Sequence, residues 1–116
     1  MRSIVTHKCV GLNESLALNA VGQVTSGGAN DCYEIHFGDQ RVQLKFQNGS
    51  PNLVGVNGIS NECLLAIVAD RLEGFQAGAY QCRENALALT KIQEALHWLQ
   101  HRERSKVVLG CSAQHC

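Results

Sequence analysis

Two stretches in the second half of the chain decide the fold: NECLLAIVADRLEGFQ at residues 61–76 and QCRENALALTKIQEALHWLQHRER at residues 81–104. The first has apolar side chains at helical spacing, after a Ser60 that can cap a helix. The second predicts a longer helix with one packing face, made of Asn85, Leu89, Ile92, Leu96 and Leu99. Because the loop Gly74–Tyr80 is short, the two helices are expected to form an antiparallel hairpin.

The first half of the chain alternates between apolar and polar side chains, which is typical of antiparallel strands. Apolar residues recur at every second position around Leu18, around Ile35 and from Val42 to Phe46. The glycine-rich segment 26–31 predicts a hairpin turn between the first two runs. Turn residues at 47–58, with the chain's single proline, predict a connector that ends the sheet.

These patterns predict an α+β fold in which a small N-terminal antiparallel β-sheet is followed by a C-terminal antiparallel helical hairpin. We expect one domain over residues 1–116, with sheet and connector at 1–58, hairpin at 59–105 and a tail at 106–116. The second helix would be about 36 Å long. A small domain cannot easily cover the second apolar track of this helix, so a homo-oligomer is expected. That track consists of Leu87, Ala88, Ala95 and Trp98.

Composition narrows the range of partners. Ten basic and ten acidic side chains cancel, so no general field would attract DNA or an anionic membrane. The sequence shows neither a signal-peptide pattern nor a membrane-spanning run, which predicts a cytoplasmic protein. Its six cysteines are then expected to be reduced thiols, with Cys63 among apolar neighbours.

No motif predicts catalysis or a bound cofactor. The sequence has no arrangement of a nucleophile beside a base, and no phosphate loop. His97 and His101 could share a helix face, but solvated histidines are favoured over metal ligands there. Cys111, His115 and Cys116 offer only a weak metal-site pattern, so no metal is expected.

The residues around the hairpin offer the chemistry of a nucleotide site: an aromatic face, a side-chain amide and guanidinium groups. These residues are Phe75, Arg83, Asn85, Arg102 and Arg104. Arg83 and Arg102 would lie about 28 Å apart on one helix, so a neighbouring antiparallel protomer would have to supply the distant arginine. Spacing alone favours a plainer interpretation, in which the aromatic caps the core and the arginines are solvated.

A resemblance to a known family favours the nucleotide-site interpretation over the plainer one. The stretches ECLLAIVADRLEGFQAG at 62–78, CRENALALTK at 82–91 and EALHWL at 94–99 resemble the phage Thoeris anti-defence sponge proteins. KFQNG at 45–49 and GVNGI at 55–59 resemble the connector of that family, so the similarity extends from about Cys32 onward.

The resemblance implies a non-enzymatic phage protein that binds glycocyclic ADP-ribose, the messenger of bacterial Thoeris defence, and withholds it from its effector. It also implies an N-terminal sheet with a helical hairpin that is shared with anti-CBASS sponges. Family members form homodimers and homohexamers, and some bind cyclic di- or trinucleotides in a separate pocket.

Carried over position by position, the resemblance makes Phe75 the aromatic that stacks the ligand, Asn85 the helix-start amide and Arg102 the arginine from the far helix end. The expected ligand-binding set is completed by Arg83, Arg104 and Thr90. Of these, Arg83 and Thr90 lie within the matched stretch 82–91. The tail departs from the family pattern: VLGCSAQH at 108–115 stands where a glycine-rich segment ending in Gly-Thr before a histidine is expected.

Two other classes of function stay open at this point. One is an enzyme that hydrolyses the messenger, although the sequence lacks the acid–base pair or metal motif that hydrolysis needs. The other is a structural or regulatory oligomer that acts through contacts between its helices and other proteins.

Overall fold

In the computed structural model of the protein, the backbone is described for residues 1–109 and the side chains for residues 1–105. The chain divides into two compact units, and the division falls between Ile59 and Ser60. The first holds an antiparallel sheet and the second a pair of helices, so the α+β prediction is confirmed. The expectation of one domain over residues 1–116 stays a prediction.

The sheet of the first unit is a four-stranded antiparallel meander in the order β1-β2-β3-β4. Its strands are β1 (Arg2–Ile4), β2 (Ala17–Ala20), β3 (Cys32–Phe37) and β4 (Gln40–Lys45). Three of these strands follow the predicted alternation. β1 was not predicted, because three residues are too few to show a period of two and depend on pairing with β2.

The two faces of the sheet differ in polarity. Leu18 pairs with Ile35 and Ala20 with Tyr33, which places these side chains on one face. Ala20 is only 2% exposed, and Tyr33 packs edge-on against Phe46 with ring centroids 5.6 Å apart. The opposite face carries charged and polar side chains, among them Glu34, whose carboxylate lies 3.1 Å from His36 Nε2 and 3.8 Å from Arg41.

The predicted hairpin turn between β2 and β3 is present. Thr25 N–H donates to the Ala29 carbonyl at 2.8 Å, and Gly28 N–H donates back to Thr25 at 2.9 Å. Gly28 has a φ of +95°, a conformation that glycine adopts without steric cost.

The connector after β4 is folded by its own side-chain amides. Gln47 Oε1 accepts from Asn57 N–H at 2.8 Å, while Gln47 Nε2 donates to the Gly55 carbonyl at 2.8 Å. Asn57 bonds in turn to both backbone groups of Asn48 at 2.8 Å. Within it lies the single-turn helix α1 (Pro51–Val54), which the sequence did not predict.

The second unit consists of α2 (Asn61–Ala77) and α3 (Arg83–Leu109), which pack together as a hairpin. Ser60 caps α2 as predicted, since its Oγ accepts from Cys63 N–H at 3.1 Å. Gly78 ends α2, whereas Gly74 lies inside the helix rather than at its end. α3 continues to Leu109 and not only to the predicted Arg104, because no glycine or proline occurs before Gly110.

The predicted packing face of α3 is confirmed. Its seam residues are partly buried: Asn85, Leu89, Ile92, Leu96 and Leu99. On α2 the best-covered residue is Ala69, which is 7% exposed, and its small side chain permits close helix packing. Of the predicted second track on α3, Leu87, Ala88 and Trp98 are exposed and Ala95 is half-buried.

The cysteines of the described region, Cys9, Cys32, Cys63 and Cys82, are all free thiols. Cys63 is exposed, although apolar residues follow it in the sequence. Cys111 and Cys116, with the other tail positions named above from Gly110 onward, lie outside the described residues.

The close packing of the connector predicts the effect of adding one methyl group. A Cβ at Gly58 would lie 2.6 Å from Gln47 N and closer still to the Phe46 carbonyl carbon. Gly58→Ala should therefore lower the free energy of unfolding by about 1–3 kcal/mol. Gly27→Ala is the matched control, because a Cβ there meets no atom within 4 Å. Urea unfolding midpoints measure both, and equal midpoints would contradict the packing described here.

Candidate nucleotide site at the hairpin turn

Phe75 lies in the last turn of α2, not in a loop as its flanking glycines suggested. The helix continues through Gly74 because hairpin packing offsets the cost of one interior glycine, which is about 1 kcal/mol. The Phe75 ring is half-buried and has two neighbours. The Tyr80 ring meets it edge-on at a centroid distance of 6.2 Å, and the Arg71 guanidinium carbon lies over it, 5.4 Å from its centroid.

The turn that follows Phe75 is held by hydrogen bonds from both helices. Gln76 Oε1, at the end of α2, accepts from Cys82 N–H at 3.0 Å. Asn85 Nδ2, in the first turn of α3, donates to the Tyr80 carbonyl at 3.4 Å. Cys82 Sγ accepts from Asn85 N–H at 3.4 Å, so a thiol serves as the cap of α3. These bonds fix the turn relative to the ends of α2 and α3.

Tyr80 therefore connects Phe75 and Asn85, two of the residues expected to contact the ligand. Its ring touches Phe75 and its carbonyl is bonded to Asn85. Within the described residues, Asn85 Oδ1 accepts no hydrogen bond, which leaves an amide oxygen at the site able to accept one from a ligand.

The structure does not bring Arg102 to this cluster within one chain. α3 runs unbroken from Arg83 through Arg102, a rise of about 28 Å, so Arg102 stands far from the turn. Its Nη2 donates to Glu103 Oε1 at 3.1 Å. The two side chains are 47% and 39% exposed, so water screens the pair and it contributes little to stability.

The remaining expected residues lie along α3. Arg83 is exposed in the first turn, near the Asn85 end, and Arg104 is exposed beyond Arg102. Thr90 Oγ1 donates to the Ala86 carbonyl of its own helix at 3.1 Å. Among these three, only Arg83 is placed at the end of α3 next to the turn.

Sequence reasoning missed three residues of this cluster: Arg71, Gln76 and Tyr80. The four-residue spacing of Arg71 and Phe75 on a predicted helix was a usable signal, because such pairs share a face. Gln76 and Tyr80 gave no local signal, because their partners are set by how the turn closes.

His97 and His101 both contact an aromatic ring. Each imidazole lies 5.8 Å from Trp98, between ring centroids, on α3. Over the described part of the chain, no three His, Cys, Asp or Glu side chains come together as a metal cluster. In the same region, no helix combines the length and apolarity needed to cross a membrane.

Comparison with known proteins places residues 39–102 in a class of helical-hairpin proteins. The family model of the Acb2/Tad1 hairpin domain matches residues 39–102, a span that includes β4, the connector and the hairpin as far as Arg102. The chain belongs to the Acb2/Tad1 hairpin-domain family.

A curated relative narrows the comparison. The chain is 40% identical over 79 residues to the protein named Thoeris anti-defense 1 of Bacillus phage SBSphiJ7. The matched stretch is 68% of this chain and 56% of that relative, so the similarity spans little more than half of the relative's length.

The Gln76–Cys82 hydrogen bond predicts a measurable contribution to the stability of the hairpin. Gln76→Ala removes the acceptor and should lower the free energy of unfolding by about 1 kcal/mol. Gln93→Ala is the control, since Gln93 is exposed on α3 and gains the same helix propensity from alanine. Far-UV circular dichroism in urea measures both. A Gln76→Ala variant no less stable than Gln93→Ala would show that the bond does not hold the turn.

Proposed function

We propose that this protein is a phage anti-defence sponge, which binds the Thoeris messenger glycocyclic ADP-ribose in the cytoplasm of the infected bacterium and sequesters it without degrading it. Two observations support the proposal: membership of the Acb2/Tad1 hairpin-domain family and similarity to a relative named for Thoeris anti-defence. The chemistry of the hairpin turn supports it independently.

The single observation that carries the proposal is the arrangement of Phe75, Tyr80 and Asn85. An aromatic ring and a side-chain amide are held beside one turn by a ring contact and a hydrogen bond. A purine base has flat faces that stack on a phenyl ring and edges that bond to an amide. Because the turn is bonded from both helices, little conformational freedom is lost when the ligand binds.

The phosphates of the messenger need cations, and we assign this role first to Arg102 of a neighbouring protomer. An antiparallel arrangement of two hairpins would place the far end of one α3 beside the turn of the other. Arg102 would exchange its half-buried Glu103 partner for a phosphate, at low cost because that pair is solvent-screened. Arg83, Arg104 and Thr90 are secondary members of the proposed site.

The same arrangement requires a homo-oligomer, which we propose to be a dimer or a hexamer. Trp98 is 65% exposed and Leu87 is 48% exposed, and both are large apolar residues on α3. Burying such side chains against a second copy would stabilise the assembly by roughly 1.5–3 kcal/mol per side chain.

Binding without turnover fits the residue types of the proposed site. Phenylalanine, asparagine, arginine and threonine stack on or bond to a nucleotide, and none of them is an ordinary general base. A cyclic di- or trinucleotide remains a proposed second ligand of the kind that the family resemblance implies.

A structural or regulatory oligomer is the second candidate function, and the exposed Trp98 favours it as much as it favours a sponge. The two differ in what calorimetry should detect. A sponge binds glycocyclic ADP-ribose with a saturable heat, whereas an oligomer that only contacts proteins gives none.

Loss of the aromatic or the arginine should weaken binding without unfolding the protein. Phe75→Ala removes stacking of about 1–3 kcal/mol. Arg102→Ala removes a charge-assisted contact of about 1.5–3 kcal/mol, so each should raise the Kd roughly tenfold to a hundredfold in isothermal titration calorimetry. Phe37→Ala, an exposed ring of the sheet, and Lys91→Ala, an exposed cation of α3, are the controls and should bind as the parent does.

Mixed oligomers test the contribution of two protomers to one site. Chains with Phe75→Ala and chains with Arg102→Ala, unfolded and refolded together, should regain intact sites, because each supplies what the other lacks. Absence of regained sites would confine the site to one chain. Unaltered affinity in both single variants would remove these residues from the site.

Trp98→Glu should lower the assembly state, because a charge in an apolar interface is not compensated there. Multi-angle light scattering measures the mass of the variant and of Gln93→Glu, a control that adds the same charge at an exposed polar position of α3. A parent protein that is monomeric at micromolar concentration would contradict the proposed homo-oligomer.

A further inference from the structure

Arg71 is the closest cation to the proposed stacking residue. Its guanidinium carbon lies 5.4 Å from the centroid of the Phe75 ring, over the ring itself. The two residues are one turn apart on α2, so they share a helix face. Arg71 is exposed and Phe75 is half-buried, which places the charge on the solvent side of the cluster.

The charge of Arg71 is not neutralised by the side chains described. Over residues 1–105, no carboxylate lies within 4.0 Å of its guanidinium. Arg102, by contrast, is already paired with Glu103. A phosphate approaching Arg71 therefore competes with no carboxylate, whereas a phosphate approaching Arg102 competes with Glu103.

We propose that Arg71 is a further ligand-binding residue, which pairs with the phosphates of the nucleotide whose base stacks at Phe75. This inference rests on the proposed nucleotide-binding function. Cation–π attraction engages the positive charge of a guanidinium and leaves its five N–H donors for oxygen acceptors. Phosphate is the acceptor that best matches this planar, forked donor group.

The inference also divides the phosphate contacts between chains. Arg71 belongs to the same chain as Phe75, so each turn carries both a stacking ring and a cation before any partner is added. Arg102 completes the site from the neighbouring protomer. The ligand is thus bound in part within one hairpin and closed over by the second.

The test compares Arg71→Met with Lys91→Met, since both remove one exposed cation from the hairpin and leave an unbranched side chain of good helix propensity. Calorimetry with glycocyclic ADP-ribose should give a Kd about tenfold or more above the parent for Arg71→Met and an unchanged Kd for Lys91→Met. The increase of Kd with salt should also be shallower in Arg71→Met, because one screened charge contact is gone. A contact that only supported the helix would leave the salt dependence as in the parent.

Refolded mixtures then test whether Arg71 acts in the same half of the site as Phe75, opposite the Arg102 of the neighbouring chain. Arg71→Met chains mixed with Arg102→Ala chains should regain intact sites. Mixed with Phe75→Ala chains they should not, because the turn half of every site then carries one of the two defects. Recovery of intact sites in the second mixture would overturn the assignment.

The outcomes separate this inference from the function on which it rests. If the parent protein does not bind glycocyclic ADP-ribose, the proposed function fails and this inference fails with it. If the parent binds and Phe75→Ala weakens binding, but Arg71→Met binds as tightly as the parent, the function stands and the inference alone is overturned. Should Arg71→Met lose its helical circular dichroism, Arg71→Lys replaces it, and its Kd should still exceed that of the parent because the planar donor fork is lost.

Discussion

The apolar seam between α2 and α3 is the interaction on which the functional unit depends. It sets how the two helices lie together, from Ala69 on one helix to Leu89, Ile92 and Leu96 on the other. Because the seam fixes the helix ends, it also fixes where the connecting turn must close. The ring contact of Phe75 with Tyr80 and the hydrogen bond of Asn85 to that turn follow from this closure.

The seam leaves one face of each helix uncovered, and these uncovered faces are where a second copy is proposed to bind. Ile67 on α2 and Trp98 on α3 remain exposed, while the arginine assigned to the phosphates stands at the far end of α3. A second copy of the chain would cover this apolar surface. Its Arg102 would also lie beside the turn of the first copy. Arg71 makes each turn a partial site by itself, which a partner then completes.

The features that were predictable from the sequence are those set by local periodicity. The seam on α3, the cap at Ser60 and the hairpin turn before β3 each produce a pattern within a few residues, and all three are confirmed. β1 and α1 were missed because each is a single short segment that is stabilised by distant partners or by one proline. Phe75 fell both within the helical stretch of residues 61–76 and within the loop expected from Gly74, and the structure places it in the helix.

The candidate site was predictable in its residue types but not in its connections. Phe75, Asn85 and Arg102 were candidates by residue type, and the family resemblance assigned a role to each. The link between Phe75 and Asn85, through Tyr80, arises only when the turn closes. The same structure shows why one chain cannot complete the expected set, because a continuous α3 separates Arg102 from the turn.

The central claim is sequestration without chemical change, and the most direct test is the identity of what the protein releases. The protein would be purified from bacteria that produce the Thoeris messenger, denatured by heat, and its released small molecules analysed by mass spectrometry. A sponge should release intact glycocyclic ADP-ribose, in an amount close to one molecule per site. Release of linear ADP-ribose or another cleavage product, or of no nucleotide at all, would contradict it.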